Sequence, residues 1–219
     1  MGFASLHLIR QWGGTLSKLL LYYAHPGHKH SEVNKEMALA AQEIEGVKFQ
    51  DLYAKYPRYD IDVELEQQLL LAHDVILFQF PLFWYSSPSL IKEWLDLVLE
   101  HGFAYGQDGD NLKGKTLMLA ISAAGPRDAY AEAGYQNYPL RTFLTPLEQT
   151  AKLCKMNFLP PYVLFSSLNA KENGKLQDHV HTYKRLLLGL VNNTFDYSAA
   201  SKHDFLTSSD LPVKHGAIQ

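Results

Sequence analysis

Residues 75–94 read VILFQFPLFWYSSPSLIKEW: an apolar run, then an aromatic turn, then the start of a helix. Val75–Phe80 carries no helical period and is short enough for a buried strand. Pro88 stands where the first turn of a helix tolerates proline, and Leu90, Ile91, Trp94, Leu95 and Val98 recur at helical spacing. A turn between the two would ordinarily be polar. This one holds Pro81, Leu82, Phe83, Trp84 and Tyr85.

The same strand-then-helix unit repeats on either side. Lys18–Tyr23 reads as a first strand, followed by a helix capped by Ser31 with Val33, Met37, Ala40, Ala41 and Ile44 on one face and a stop before Gly46. Val47–Leu52 gives a second strand, and 62–72 a helix turning Val63, Leu65, Leu69 and Leu70 inward. Beyond the central unit, Lys115–Ser122 gives a fourth strand, Leu140–Lys155 a helix, Leu159–Phe165 a fifth strand with a Pro-Pro entry, and Ala170–Gly189 a last helix. Regular alternation requires right-handed crossovers and a parallel sheet covered on both faces. The expectation is a flavodoxin-like three-layer α/β sandwich with five parallel strands in the order 2-1-3-4-5, spanning residues 18–190, with extensions at 1–17 and 191–219.

Composition narrows the function. With 219 residues, 47% of them hydrophobic, the chain can bury one sizeable core. A net charge of -3 with both signs interspersed offers no basic face for nucleic acid. Cys154 is the single cysteine, so neither a disulfide framework nor a thiolate zinc site is available. The N-terminal apolar run is too short and interrupted for a signal peptide or a spanning helix, and the cytoplasm is the expected compartment.

In an open parallel sheet the ligand crevice lies at the carboxyl ends of the strands. After strand one comes AHPGHKHSEVNKE (24–36), where a helix N-terminus offers backbone N–H groups to an anion and His25, Ser31 and Asn34 add donors. Against this stands plain capping by Ser31. His25, His28 and His30 lack an acid in matching position and make a poor metal pattern, so no metal is expected. Neither a dinucleotide fingerprint nor a P-loop is present. After strand three the aromatic turn fits either the wall for a flat ring or a core or dimer-interface cluster. After strand four, ISAAGPRDAY (121–130) brings small residues that let backbone approach a ligand, and Tyr130, a hydroxyl donor or a structural tyrosine. An anion cradle, a ring wall and a small-residue wall together suit a flavin nucleotide.

Three segments, YAHPGHKHSEVNKEM (23–37), 64–106 ending in EHGFAYG, and TPLEQTAKLCKMNFLPPY (145–162), resemble the flavodoxin-like NAD(P)H:quinone oxidoreductases. Within that family they are similar to the short bacterial branch that includes ancillary proteins of glutathione-regulated potassium-efflux systems. The resemblance implies that His25, Ser31, Val33 and Asn34 form the flavin-phosphate and ribityl loop and that Gln67 lies near the cofactor. It implies further that Pro81, Leu82, Phe83, Trp84 and Tyr85 contact the isoalloxazine, and that Ser122, Ala123, Ala124 and Gly125 with Tyr130 face its pyrimidine side. Tyr130 is then the catalytic candidate.

The loop departs from the usual Thr-Thr-Gly-Gly, and the position of the histidine found in larger members is Tyr135 or Gln136 here. The implied activity is hydride transfer from NAD(P)H through flavin N5 to a quinone by a ping-pong route, with FMN favoured over FAD in a homodimer. The alternative is a regulatory ancillary subunit, peripheral at the inner face of the membrane through an antiporter partner. An electron-transfer flavodoxin would carry a more acidic surface.

Overall fold

The computed structural model describes residues 16–27 and 31–213. The expected extension at 1–17 lies outside these apart from its last two residues, as do His28 and His30. Among the described residues the elements run β1 (Leu19–Tyr23), α1 (Val33–Gln42), β2 (Val47–Asp51), α2 (Leu52–Lys55), α3 (Val63–Ala72), β3 (Val75–Pro81), α4 (Ser89–Val98), β4 (Thr116–Ser122), α5 (Thr145–Leu153), β5 (Asn157–Phe158), β6 (Tyr162–Leu164), α6 (Lys175–Val191) and α7 (Tyr197–Ala200). The sheet runs β2-β1-β3-β4-β5, all parallel, with β6 also on β4.

Both faces of the sheet are buried. Leu19, Leu21, Tyr23, Val75 and Leu77 pack into one cluster with α1 and α6. Leu20, Tyr22, Ile76, Phe78 and Phe80 pack into the other with α4 and α5. Two buried faces explain why β1 and β3 read as continuous apolar runs rather than alternating ones.

The structure changes several expected details. The fifth strand is split, because Pro160 and Pro161 have no N–H for the ladder; an edge strand tolerates this. The helix expected from Leu140 begins as a 3-10 turn over Leu140–Leu144 and becomes α-helical only at Thr145. The last helix starts at Lys175, and a 3-10 turn at Ser167–Asn169 precedes it. The segment after residue 191, read as an extension, buries Phe195, Ala200 and Leu206 in the core. Leu206 donates its N–H to Pro161 O at 2.8 Å and accepts that of Val163 at 2.8 Å, closing the outer edge of β6.

On α3 Leu69 and Leu70 face the core as expected, but the first turn does not. Leu65 is 38% exposed, whereas Glu66 is fully buried. Its carboxylate accepts from Lys55 Nζ and Tyr56 Oη, both at 2.6 Å, from Trp94 Nε1 at 3.0 Å, and from Tyr22 Oη. Burial by itself would raise the Glu66 pKa; the four donors outweigh it and hold the carboxyl below its usual range. This hub joins β1, α2, α3 and α4.

Candidate functional site

Register brings the three loops together. Tyr23 pairs with Gln79 and Pro81 with Ser122, so β1, β3 and β4 release their chains at the same end of the sheet. Main-chain bonds continue to the very edge: Ala24 N to Gln79 O at 2.9 Å, Leu82 N to Ser122 O at 2.9 Å, and Ala123 N to Leu164 O at 2.8 Å.

Beyond Leu82 the chain makes a reciprocal pair of bonds, Phe83 N to Ser86 O at 3.1 Å and Ser86 N to Phe83 O at 3.0 Å. Between them Trp84 and Tyr85 have φ of 47° and 64°. Both central residues are thus left-handed, the geometry of a type I′ turn that ordinarily selects Asn-Gly. Bulky residues there cost about 1–3 kcal/mol each. Trp84 recovers nothing by burial, being 93% exposed. The N–H groups of Trp84 and Tyr85 donate to no group among the described residues. The ring of Phe83, also exposed, meets that of His25 edge-on at 5.6 Å, linking the first loop to the second.

The opposing wall is the loop after β4. Ala124 is exposed, and its N–H has no acceptor among the described residues. A Cβ on Gly125 would fall 2.8 Å from the Tyr135 hydroxyl and 3.2 Å from the Tyr130 ring, so a larger residue there would push the two tyrosines off this wall. Burial raises the Tyr130 pKa and the nearby Tyr135 and Tyr85 hydroxyls add to it, while a hydrogen bond from the Gly125 N–H works the other way. At neutral pH Tyr130 is therefore a protonated donor. The two loops flank an open cavity of about 340 Å³ lined by Leu82, Trp84, Tyr85, Ala124, Gly125 and Tyr130, together with Tyr135, Gln136 and Leu168. That volume lies within the range of small-molecule sites.

The first loop contributes differently from expectation. Ser31 Oγ accepts from Lys35 N at 3.2 Å, a cap-like role, and Val33 is buried in the core under α1. Asn34 does not offer a free amide: its Nδ2 donates to Ser122 Oγ at 2.7 Å. Gln79 Nε2 donates to the Asn34 carbonyl at 2.8 Å and Tyr183 Oη to Gln79 Oε1 at 3.0 Å, fixing the start of α1 against β3 and α6. Asn34 Oδ1 is left buried without a partner, an acceptor next to the cavity loops. Gln67 is not brought to the cavity. Its Nε2 donates to Val98 O at 3.1 Å and Glu100 Oε2 at 2.8 Å, closing the end of α4. Pro81 ends β3 in the core, and Ser122 and Ala123 are buried beneath the cavity floor.

Sequence reasoning missed Phe143, Phe165 and Leu168. Phe143, carried on the Leu140–Leu144 turn, packs against Tyr85 at 5.0 Å, Tyr138 at 6.0 Å and Tyr130 at 6.3 Å. Phe165 meets Tyr130 at 5.7 Å. Phe143 and Phe165, read as ordinary helix and strand positions, gave no sign that they buttress the loops, and Leu168 fell between the last strand and the last helix. Unspent backbone donors, aromatic walls and an orphaned acceptor fit a flat heteroaromatic ring with a polar edge, and so fit a flavin.

Comparison with known proteins bears on the same segments. The flavodoxin-like fold family matches residues 17–187. The chain is 44% identical over 166 residues, 76% of its length and 90% of the relative's, to the glutathione-regulated potassium-efflux system ancillary protein KefG of Serratia proteamaculans. Among solved structures it is similar to general stress protein 14 of Treponema denticola in complex with FMN, with TM-score 0.73, 36% identity, and 79% and 99% of the two chains covered. It is also similar to a protein described as an NADPH-quinone reductase from P. pentosaceus, with TM-score 0.70, 29% identity, and coverage of 78% and 97%. With its 2-1-3-4-5 parallel sheet and this match across most of its length, the chain belongs to the flavodoxin-like family.

Proposed function

We propose that this protein is an FMN-dependent NAD(P)H:quinone oxidoreductase. The observation that carries the reading is the strained Phe83–Ser86 turn, which sets two unspent N–H groups and an exposed aromatic surface across the cavity from Ala124 and Gly125. Strain held at a strand end facing a cavity is the pattern of a ligand clamp. The FMN-bound relative and the relative described as an NADPH-quinone reductase support the choice of cofactor and of substrates.

A bound flavin would supply the two-electron chemistry that links NAD(P)H to a quinone. The protein's share is to hold and polarise. The N–H groups of Trp84, Tyr85 and Ala124 would hold the polar edge of such a ring and favour negative charge developing there. The Trp84 and Tyr85 side chains would cover its apolar area, and Tyr130 Oη holds a proton that it could donate into the cavity. Leu168 and Tyr135 border the opening through which nucleotide and quinone exchange in turn. His25, Ser31 and the start of α1 form the end toward a phosphate.

The KefG relative favours a second role alongside the first, as an ancillary subunit docked on a membrane antiporter. No helix among the described residues is long and apolar enough to cross a membrane, so in that role the chain meets the membrane through its partner. A homodimer in the cytoplasm completes the reading.

Titrating the purified protein with FMN tests the site. Saturable quenching of flavin fluorescence at one FMN per chain is expected, and no binding of either FMN or FAD would remove the reading.

A further inference from the structure

Arg127 opens the 3-10 turn directly after the Ala124–Gly125 wall and is exposed. Its guanidinium makes no ion pair with any described carboxylate, although Asp128 follows it in the chain. It lies 4.8 Å from the centre of the Phe205 ring. Phe205 meets Phe165 at 5.2 Å, and Phe165 meets the cavity residue Tyr130 at 5.7 Å. Arg141, by contrast, is spent on Glu148 Oε2 at 3.0 Å and the Asp204 carbonyl at 3.1 Å, bonds that help fix the tail on which Phe205 sits. Phe205 lies beyond residue 187, where the family match ends. A cation stacked on an aromatic face is oriented while its N–H donors stay free, the arrangement that suits a phosphate.

We propose that Arg127, held by Phe205, binds the 2′-phosphate of NADPH and makes the site prefer NADPH over NADH. The inference rests on the nicotinamide-oxidising reading above. The two dinucleotides differ only in that phosphate, and an arginine near the ribose is a known chemical solution for accepting it.

The test uses Arg127→Met, which keeps the apolar stem and loses the charge, and Phe205→Leu, which keeps burial and loses the ring. At saturating quinone, Arg127→Met is expected to raise the KM for NADPH about tenfold or more, the equivalent of one charge-assisted contact, and leave the KM for NADH within about twofold. Phe205→Leu is expected to give a smaller change of the same kind. FMN affinity and kcat stay as in the parent. Independently of turnover, calorimetry is expected to find that 2′,5′-ADP binds more tightly than 5′-AMP to the parent and equally with it to Arg127→Met.

Equal rises in both KM values, or an unchanged preference for 2′,5′-ADP in the variant, would overturn the assignment while leaving the flavin enzyme intact. A parent that binds no flavin and oxidises neither nucleotide would instead overturn the reading on which the assignment rests.

Discussion

Asn34 Nδ2 donates to Ser122 Oγ at 2.7 Å across the sheet, tying the first turn of α1 to the last residue of β4. Both groups are buried, so the bond fixes the distance between the first loop and the small-residue wall of the cavity. Removing the amide leaves the serine hydroxyl without its donor. Asn34→Ala is expected to cost about 1–3 kcal/mol in urea unfolding. It is also expected to weaken FMN; an unchanged flavin affinity would mean that the two loops are positioned without this bond.

Trp84 presents a rarer opportunity, a substitution that should stabilise the fold and harm the site. The residue is almost fully exposed and left-handed, so Trp84→Asn removes little burial and suits the backbone. A gain of about 1 kcal/mol is expected, raising Tm by about 2–4 °C for a chain of this size. Flavin binding is expected to weaken. A lower Tm would show that the turn is not strained.

Tyr130 holds its proton because burial and its tyrosine neighbours raise its pKa. Tyr130→Phe removes the donor and keeps the ring against Phe143 and Phe165. Hydride transfer in single-turnover mixing is expected to slow about tenfold, the worth of one hydrogen bond of about 1.4 kcal/mol, with flavin retained. Unchanged rates would take Tyr130 out of the chemistry.

Acid sensitivity has a local source in His179. Its ring is buried, stacked on Tyr162 at 4.4 Å, and burial pushes its pKa down to about 3. The folded form therefore resists a proton that the unfolded chain, titrating near 6.5, takes up readily. Its contribution to stability is complete above about pH 6.5 and is lost as pH falls from there toward 3, by about 2 kcal/mol at pH 5. The Glu66 carboxyl is shifted downward too, but its contribution goes only as pH falls below the ordinary carboxylate range. Urea unfolding at pH 7 and pH 5 should show the loss in the parent and a smaller one in His179→Phe. Equal losses would place the sensitivity elsewhere.

The strand order was legible because β1, β3 and β4 are buried on both faces, which writes uninterrupted apolar runs into the sequence. The inward face of α3 was legible at Leu69 and Leu70 but not in its first turn, where Val-Glu-Leu-Glu puts a leucine where the eye seeks a core. The true inward residue is a carboxylate whose partners, Tyr22, Tyr56 and Trp94, are distant in sequence. The aromatic turn could be located but not its conformation, because nothing local makes Trp84 and Tyr85 left-handed; the closing Phe83–Ser86 bonds and the fixed ends of β3 and α4 do so. The packed tail escaped notice because Phe195, Ala200 and Leu206 are single apolar residues without a period.

The central claim is tested most directly in one anaerobic cuvette holding the FMN-loaded protein. Adding NADPH should bleach the bound flavin band, and a benzoquinone added afterwards should restore it, with each step complete before the other substrate is present. A band that NADPH and NADH both leave unchanged, or that bleaches and stays bleached when quinone is added, would contradict a two-step quinone oxidoreductase.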